Sequence, residues 1–185
     1  MTYGVKEFCA ETRAAIDPKT RKADLEAVRR NLEKLLSNKE LVQELCGPGA
    51  QNGIHELYRD PETDFVLLAH VYPKGRTSPP HDHGASWAVY GQAVGWTEMT
   101  EYERLDDGKT AGRADIKVAR TYRLEPGKAG VFGPHEIHRI NFPDGARFIR
   151  CTGTDLASID TFSYDMEAHR IKKSDRTTTA GAVSA

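Results

Sequence analysis

Over the first 47 residues apolar side chains recur three and four apart amid Lys, Arg and Glu: Ala23, Leu25, Val28, Leu32, Leu35 and Leu36. That spacing gathers them on one face of an amphipathic helix, which must pack on something. An earlier helix over 5–16 stops at Asp17-Pro18. A third, short one begins after Asn38 and ends at Gly47-Pro48, because Gly suits the residue after a helix and Pro cannot continue it. From Ile54 the texture changes to β-rich runs at 64–72, 86–102, 116–124, 130–132, 137–142 and 148–152. Gly75, Asp107-Gly108, Pro126-Gly127 and Asp144-Gly145 fall where turns are needed. Many short strands in succession predict a sandwich or closed barrel. The expected layout is therefore helices over 1–50 packed on a barrel over 51–172, with a frayed tail over 173–185 that has little apolar surface to order it.

At 185 residues the chain suits one domain. With 26 Lys and Arg against 27 Asp and Glu, dispersed along the chain, it carries no electrostatic footprint for nucleic acid or an anionic membrane. No basic helix-turn-helix segment is present either, which argues against a DNA-binding regulator. No apolar run reaches the ~18 residues of a membrane span, and the first residues lack a signal-peptide core, so a cytoplasmic location is expected. Cys9, Cys46 and Cys151 are odd in number and widely spaced, as reduced structural thiols would be.

The segment Pro79-Pro80-His81-Asp82-His83 carries the chemistry. In extended chain residues two apart share a face, so His81 and His83 point together and Asp82 points away. On a helix the pair would diverge by about 200°, and both prolines disfavour one. Two imidazoles aimed together form a metal clamp that lacks a third donor. His138, 55 residues after His83, supplies it, with His135 as the alternative. The ordinary reading, a pair of exposed strand histidines, leaves that downstream partner unexplained. His55, His70 and His169 are read as structural or solvent-facing.

Gly75, five residues, His81-x-His83 and then Gly95 resembles the first motif of the cupin superfamily. Gly127, five residues, Gly133-x-His135-x-x-His138, with Asn141 following, resembles the second. This resemblance implies a double-stranded β-helix (jelly-roll) barrel, mainly β with helices before it, holding one metal in its mouth. The glutamate that usually follows the second histidine by four or five residues is replaced by Trp87 and Ala88. A three-histidine cupin without it resembles the thiol dioxygenases, of which cysteine dioxygenase is the best known. Gln92 and Gly95 after the His-Asp-His segment, and Ile137-His138-Arg139-Ile140, fit that resemblance. It implies Fe(II), with Zn, Ni or Mn also accepted by three imidazoles, and oxidation of a small carboxylate-bearing thiol to a sulfinate by dioxygen. It also assigns Tyr58-Arg59 as the substrate clamp.

Departures shape the expected substrate. Ala88 stands where many animal members have a crosslinking cysteine, and the Ser-x-His-x-Tyr series expected near 148–152 is absent. Arg150, on the same strand face as Phe148 and Thr152, instead adds positive charge near the metal. Cysteine is then a poorer expectation than a mercapto-carboxylate or dicarboxylate held by Arg59 and Arg150. The alternatives are a non-thiol cupin dioxygenase acting on a diketone or hydroxylated aromatic, and a non-redox metal-binding cupin. The expected partners are a small-molecule substrate and O2, with no nucleic acid and no membrane, and a homodimer is compatible with such barrels.

Overall fold

The computed structural model describes residues 2–174. Three helices come first: α1 (Val5–Ala14), α2 (Leu25–Leu36) and α3 (Lys39–Cys46). The side chains of Asp24 and Asn38 accept hydrogen bonds from the backbone N–H groups of Ala27 and Leu41, capping α2 and α3. The strands follow as β1 (Gly53–Arg59), β2 (Val66–Val71), β3 (Arg76–Thr77), β4 (Ala88–Val94), β5 (Thr97–Arg104), β6 (Ile116–Leu124), β7 (Ala129–Phe132), β8 (Ile137–Phe142), β9 (Arg147–Thr152), β10 (Phe162–Asp165) and β11 (Arg170–Lys173).

Two antiparallel sheets make the barrel, in the orders β1-β2-β9-β4-β7 and β3-β8-β5-β6. Setting β1 aside, the strands from β2 to β9 alternate between the two sheets except at β5 and β6, which form a hairpin within the second. That is the jelly roll, or double-stranded β-helix. The fold is mainly β, with the helices packed on one side. The expected run over 86–102 divides at Gly95, whose φ of +73° lets the chain leave one sheet and enter the other. Four strands are not in the sequence reading: β1, the two-residue β3, and the hairpin β10–β11. That hairpin takes part of the expected tail into regular structure, since β11 runs to Lys173; the tail from Asp175 lies outside the described residues.

Alternation gives the five-stranded sheet two faces of different character. Leu67 of β2, Ile149 and Cys151 of β9, and Val89 of β4 face outward and are buried with Phe8, Val28, Leu32 and Leu35 of the helices. Each large side chain buried there contributes about 1.5–3 kcal/mol. Gly91 belongs to this contact: a Cβ on it would lie 2.7 Å from Leu36 Cδ1 and 2.8 Å from Leu32 Cγ, so only glycine lets α2 approach β4 this closely. The opposite face looks into the barrel, where Ala88, Tyr90, Phe132 and Phe148 meet Met99, Leu124 and Phe142 of the second sheet. All three cysteines are free and buried, and burial pushes the Cys9 thiol up to about 12 and that of Cys46 to about 11. No helix among the described residues is long and apolar enough to cross a membrane.

Candidate metal centre and its pocket

His81 and His138 form a cross-strand pair. The His81 N–H donates to the His138 carbonyl at 2.8 Å and the His138 N–H to the His81 carbonyl at 2.9 Å. Residues paired in this way present their side chains on one face. Their rings lie 4.5 Å apart, and the ring of His83 completes a triangle, 4.7 Å from His138 and 5.4 Å from His81. One ring nitrogen from each of the three lies within 4.8 Å of the others. Asp82 turns the other way, as alternation predicts. Its carboxylate accepts from the Tyr164 hydroxyl at 2.6 Å and from the backbone N–H groups of Gly84 at 2.8 Å and Phe162 at 3.2 Å. The residue between the two histidines thus ties their segment to the β10–β11 hairpin.

The donor set fits one divalent ion. His81 Nδ1 lies 3.0 Å from the Pro79 carbonyl and His138 Nδ1 lies 3.2 Å from the Glu136 carbonyl. A carbonyl only accepts, so each Nδ1 carries the proton and each Nε2 presents a lone pair. His138 Nε2 is buried without a hydrogen-bond partner, and a coordinated cation would satisfy it. His83 Nε2 is 3.3 Å from the Tyr90 hydroxyl. Burial holds all three imidazoles below the ordinary histidine value, most strongly His83 and His138, and so favours the neutral form that binds metal. Phe132 stacks on His138 at 3.9 Å and fixes its ring. No carboxylate belongs to the cluster. Ala88 is fully buried in the inner cluster.

His81 opens onto a cavity of about 410 Å³ whose lining includes His70, Tyr72, Arg76, Tyr90, Phe142 and Arg150. Arg150 is paired in register with Leu68 on one side and Tyr90 on the other, and its guanidinium lies 5.9 Å from the Tyr90 ring. Its Nε is buried without a partner. Among the described residues, no Asp or Glu belongs to the lining. His70 is 1% exposed, stacks on Phe148 at 4.6 Å, and has Nδ1 3.2 Å from the Tyr72 hydroxyl and Nε2 unpartnered. Burial, aided by the charge of Arg150, holds it well below the usual histidine range. Sequence reasoning gave His70 and Tyr72 no part in the site, although alternation along the expected strand puts Leu68, His70 and Tyr72 on the face opposite Leu67 and Ala69.

Two expected site residues are not brought to the histidines. Tyr58 accepts from Arg13 Nη2 at 2.7 Å and donates to Asp60 at 3.1 Å, with its ring 5.7 Å from Phe65 beneath the helices. A bulge between Glu56 and Tyr58 pairs Tyr58 with Leu67, an outward-facing residue. Arg59 is held by Glu56 at 2.6 Å and Asp155 at 3.0 Å, which oppose its charge. It lines a second cavity, about 290 Å³, that shares Arg150 with the first. The edge position of β1, with β2 between it and β9, keeps Arg59 off the barrel floor. Of the two candidate arginines, Arg150 lines the cavity of His81. His135, the alternative third ligand, is exposed with φ +61° and faces a different cavity, so His138 joins His81 and His83.

No family model matches the chain, and no curated protein matches it. Solved structures similar to it include KdgF from a Halomonas species, at 19% identity and a TM-score of 0.41, covering 54% of this chain and 74% of that one. Another is an uncharacterized protein with a double-stranded β-helix domain from Klebsiella pneumoniae, at 13% identity and a TM-score of 0.38, covering 72% of this chain and 94% of that one. An oxalate oxidase in complex with glycolate is 18% identical with a TM-score of 0.40, covering 57% of this chain and 53% of that one. The jelly-roll assignment rests on the strand order itself.

Proposed function

We propose that the protein is a metal-dependent cupin oxygenase that holds Fe(II) on His81, His83 and His138 and converts a small carboxylate-bearing thiol to its sulfinate. The observation that carries this reading is a cluster of three neutral imidazoles, with no acidic side chain, of which His81 lines a cavity shared with Arg150. A cation bound by neutral donors keeps its full charge and leaves positions for anionic ligands. In the reaction both atoms of dioxygen end on sulfur, RS⁻ + O2 → RSO2⁻, and no external reductant is consumed. Bound iron would supply the redox chemistry that joins thiolate and dioxygen.

The chain's own residues supply placement. Arg150 pairs with the substrate carboxylate from the barrel floor, where its unpartnered Nε makes it available for a charge-assisted hydrogen bond. Ile140 and Phe142 give the cavity an apolar wall that excludes water. The Tyr90 hydroxyl, 3.3 Å from His83 Nε2, lies where a polar group of the substrate can be met. The test is oxygen uptake by iron-reconstituted protein over a panel of carboxylate thiols and non-thiol chelators, alongside His81→Ala. Uptake is expected with the thiols only, and to vanish in the variant. Uptake with a diketone alone would move the assignment to a non-thiol dioxygenase, and uptake unchanged by the substitution would reject the site.

A further inference from the structure

Resting on the reading of this cavity as the substrate site, we infer that its substrate carries two acidic groups, the second held at the mouth by Arg76 and Lys172. Four cationic residues, Arg76, Arg150, Lys172 and Lys173, line the cavity, and among the described residues no carboxylate does. Lys173 is paired with Asp160 at 2.6 Å. Among the described residues, the other three have no ion-pair partner.

Their placement separates two positions of positive charge. Arg150 stands on β9 in the five-stranded sheet, the floor. Arg76 comes from β3, on the opposite sheet, in register with Phe142, and Lys172 comes from β11, in register with Ser163. His81 bridges both of these elements, pairing with His138 of β8, to which β3 is bonded, and with Ser163 of β10. The Tyr164 N–H donates to the Pro80 carbonyl and the Asp82 N–H to the Phe162 carbonyl, each at 2.9 Å. The hairpin carrying Lys172 is therefore fixed against the metal-binding segment. One carboxylate on Arg150 leaves the mouth's charge uncompensated, whereas a dicarboxylate neutralises floor and mouth together.

The test compares two unreactive probes of equal chain length, succinate and butyrate, by calorimetric titration of the anaerobic metal-loaded protein at low ionic strength. Succinate is expected to bind about tenfold more tightly than butyrate, as for contacts to two partly solvated cations. Arg76→Ala with Lys172→Ala, both at exposed positions, should abolish that advantage and leave butyrate binding unchanged. Arg150→Ala should weaken both probes. Equal affinities in the unaltered protein, an advantage that survives the double substitution, or binding of neither probe would overturn the inference. A succinate preference without oxygen uptake on any thiol would leave it standing and reject only thiol oxidation.

Discussion

The two faces of the five-stranded sheet are built from the same strands and do different things. Outward, Leu67, Val89, Ile149 and Cys151 join the apolar cluster formed with the helices, and the contact is tight enough to require Gly91. Inward, the neighbouring positions carry His70, Tyr72, Tyr90 and Arg150, whose polar atoms have few partners. Leaving buried polar groups unsatisfied costs about 1–3 kcal/mol each, so the inner face draws on stability that the outer face provides. The difference teaches that stability and chemistry are separated by one step along each strand.

Three substitutions or conditions sharpen that division. The largest effect is expected from His138→Ala, which should abolish metal retention, measured by elemental analysis after reconstitution, and leave the metal-free thermal midpoint within a few degrees. A midpoint collapse instead would mean that the inner face also carries the fold. Next, Leu32→Ala should destabilise by about 2–5 kcal/mol in urea unfolding while metal stoichiometry stays unchanged, because the cavity it opens lies across the sheet from the histidines. Loss of metal binding in that variant would show that the faces are coupled.

The smallest effect is a titration. His70, His81, His83 and His138 are held below the ordinary value of 6.5 by burial. The unfolded chain takes up protons near 6.5 that these rings refuse. Stability of the metal-free protein should therefore be flat above that pH and fall as the pH drops below it. On the helix side, Arg13 and the hydrogen bonds from Thr63 and Glu62 hold the Asp60 carboxyl below 3.8, so its contribution is lost only as the pH drops below that value. Urea midpoints at pH 7.5, 5.5 and 3 separate the two windows, and a flat profile between the first two would deny the histidines their buried, neutral state.

Much of this was legible beforehand. The runs at 116–124 and 137–142 match β6 and β8 because each is bounded by turn residues and rich in β-formers. The His-x-His pair stood out by spacing alone, whereas His138 was favoured over His135 through the resemblance of Ile137-His138-Arg139-Ile140 to a family segment. The hairpin β10–β11 did not, since Arg170, Lys172 and Lys173 give it little strand character, and its order comes from the carboxylate of Asp82 and the backbone of Pro80. Position before a strand likewise does not say which carboxylates will reach the Arg59 guanidinium, and here Glu56 and Asp155 do.

Local pattern determined the helices, most of the strands and the direction in which His81, Asp82 and His83 point, because these follow from periodicities of two and 3.6 residues. Only the tertiary structure decided which histidine joins the pair, which arginine lines the cavity, and that Lys172 reaches its mouth. Those depend on pairings between strands up to about 90 residues apart, such as that of His81 with Ser163 and of Leu68 with Arg150, which no local periodicity encodes.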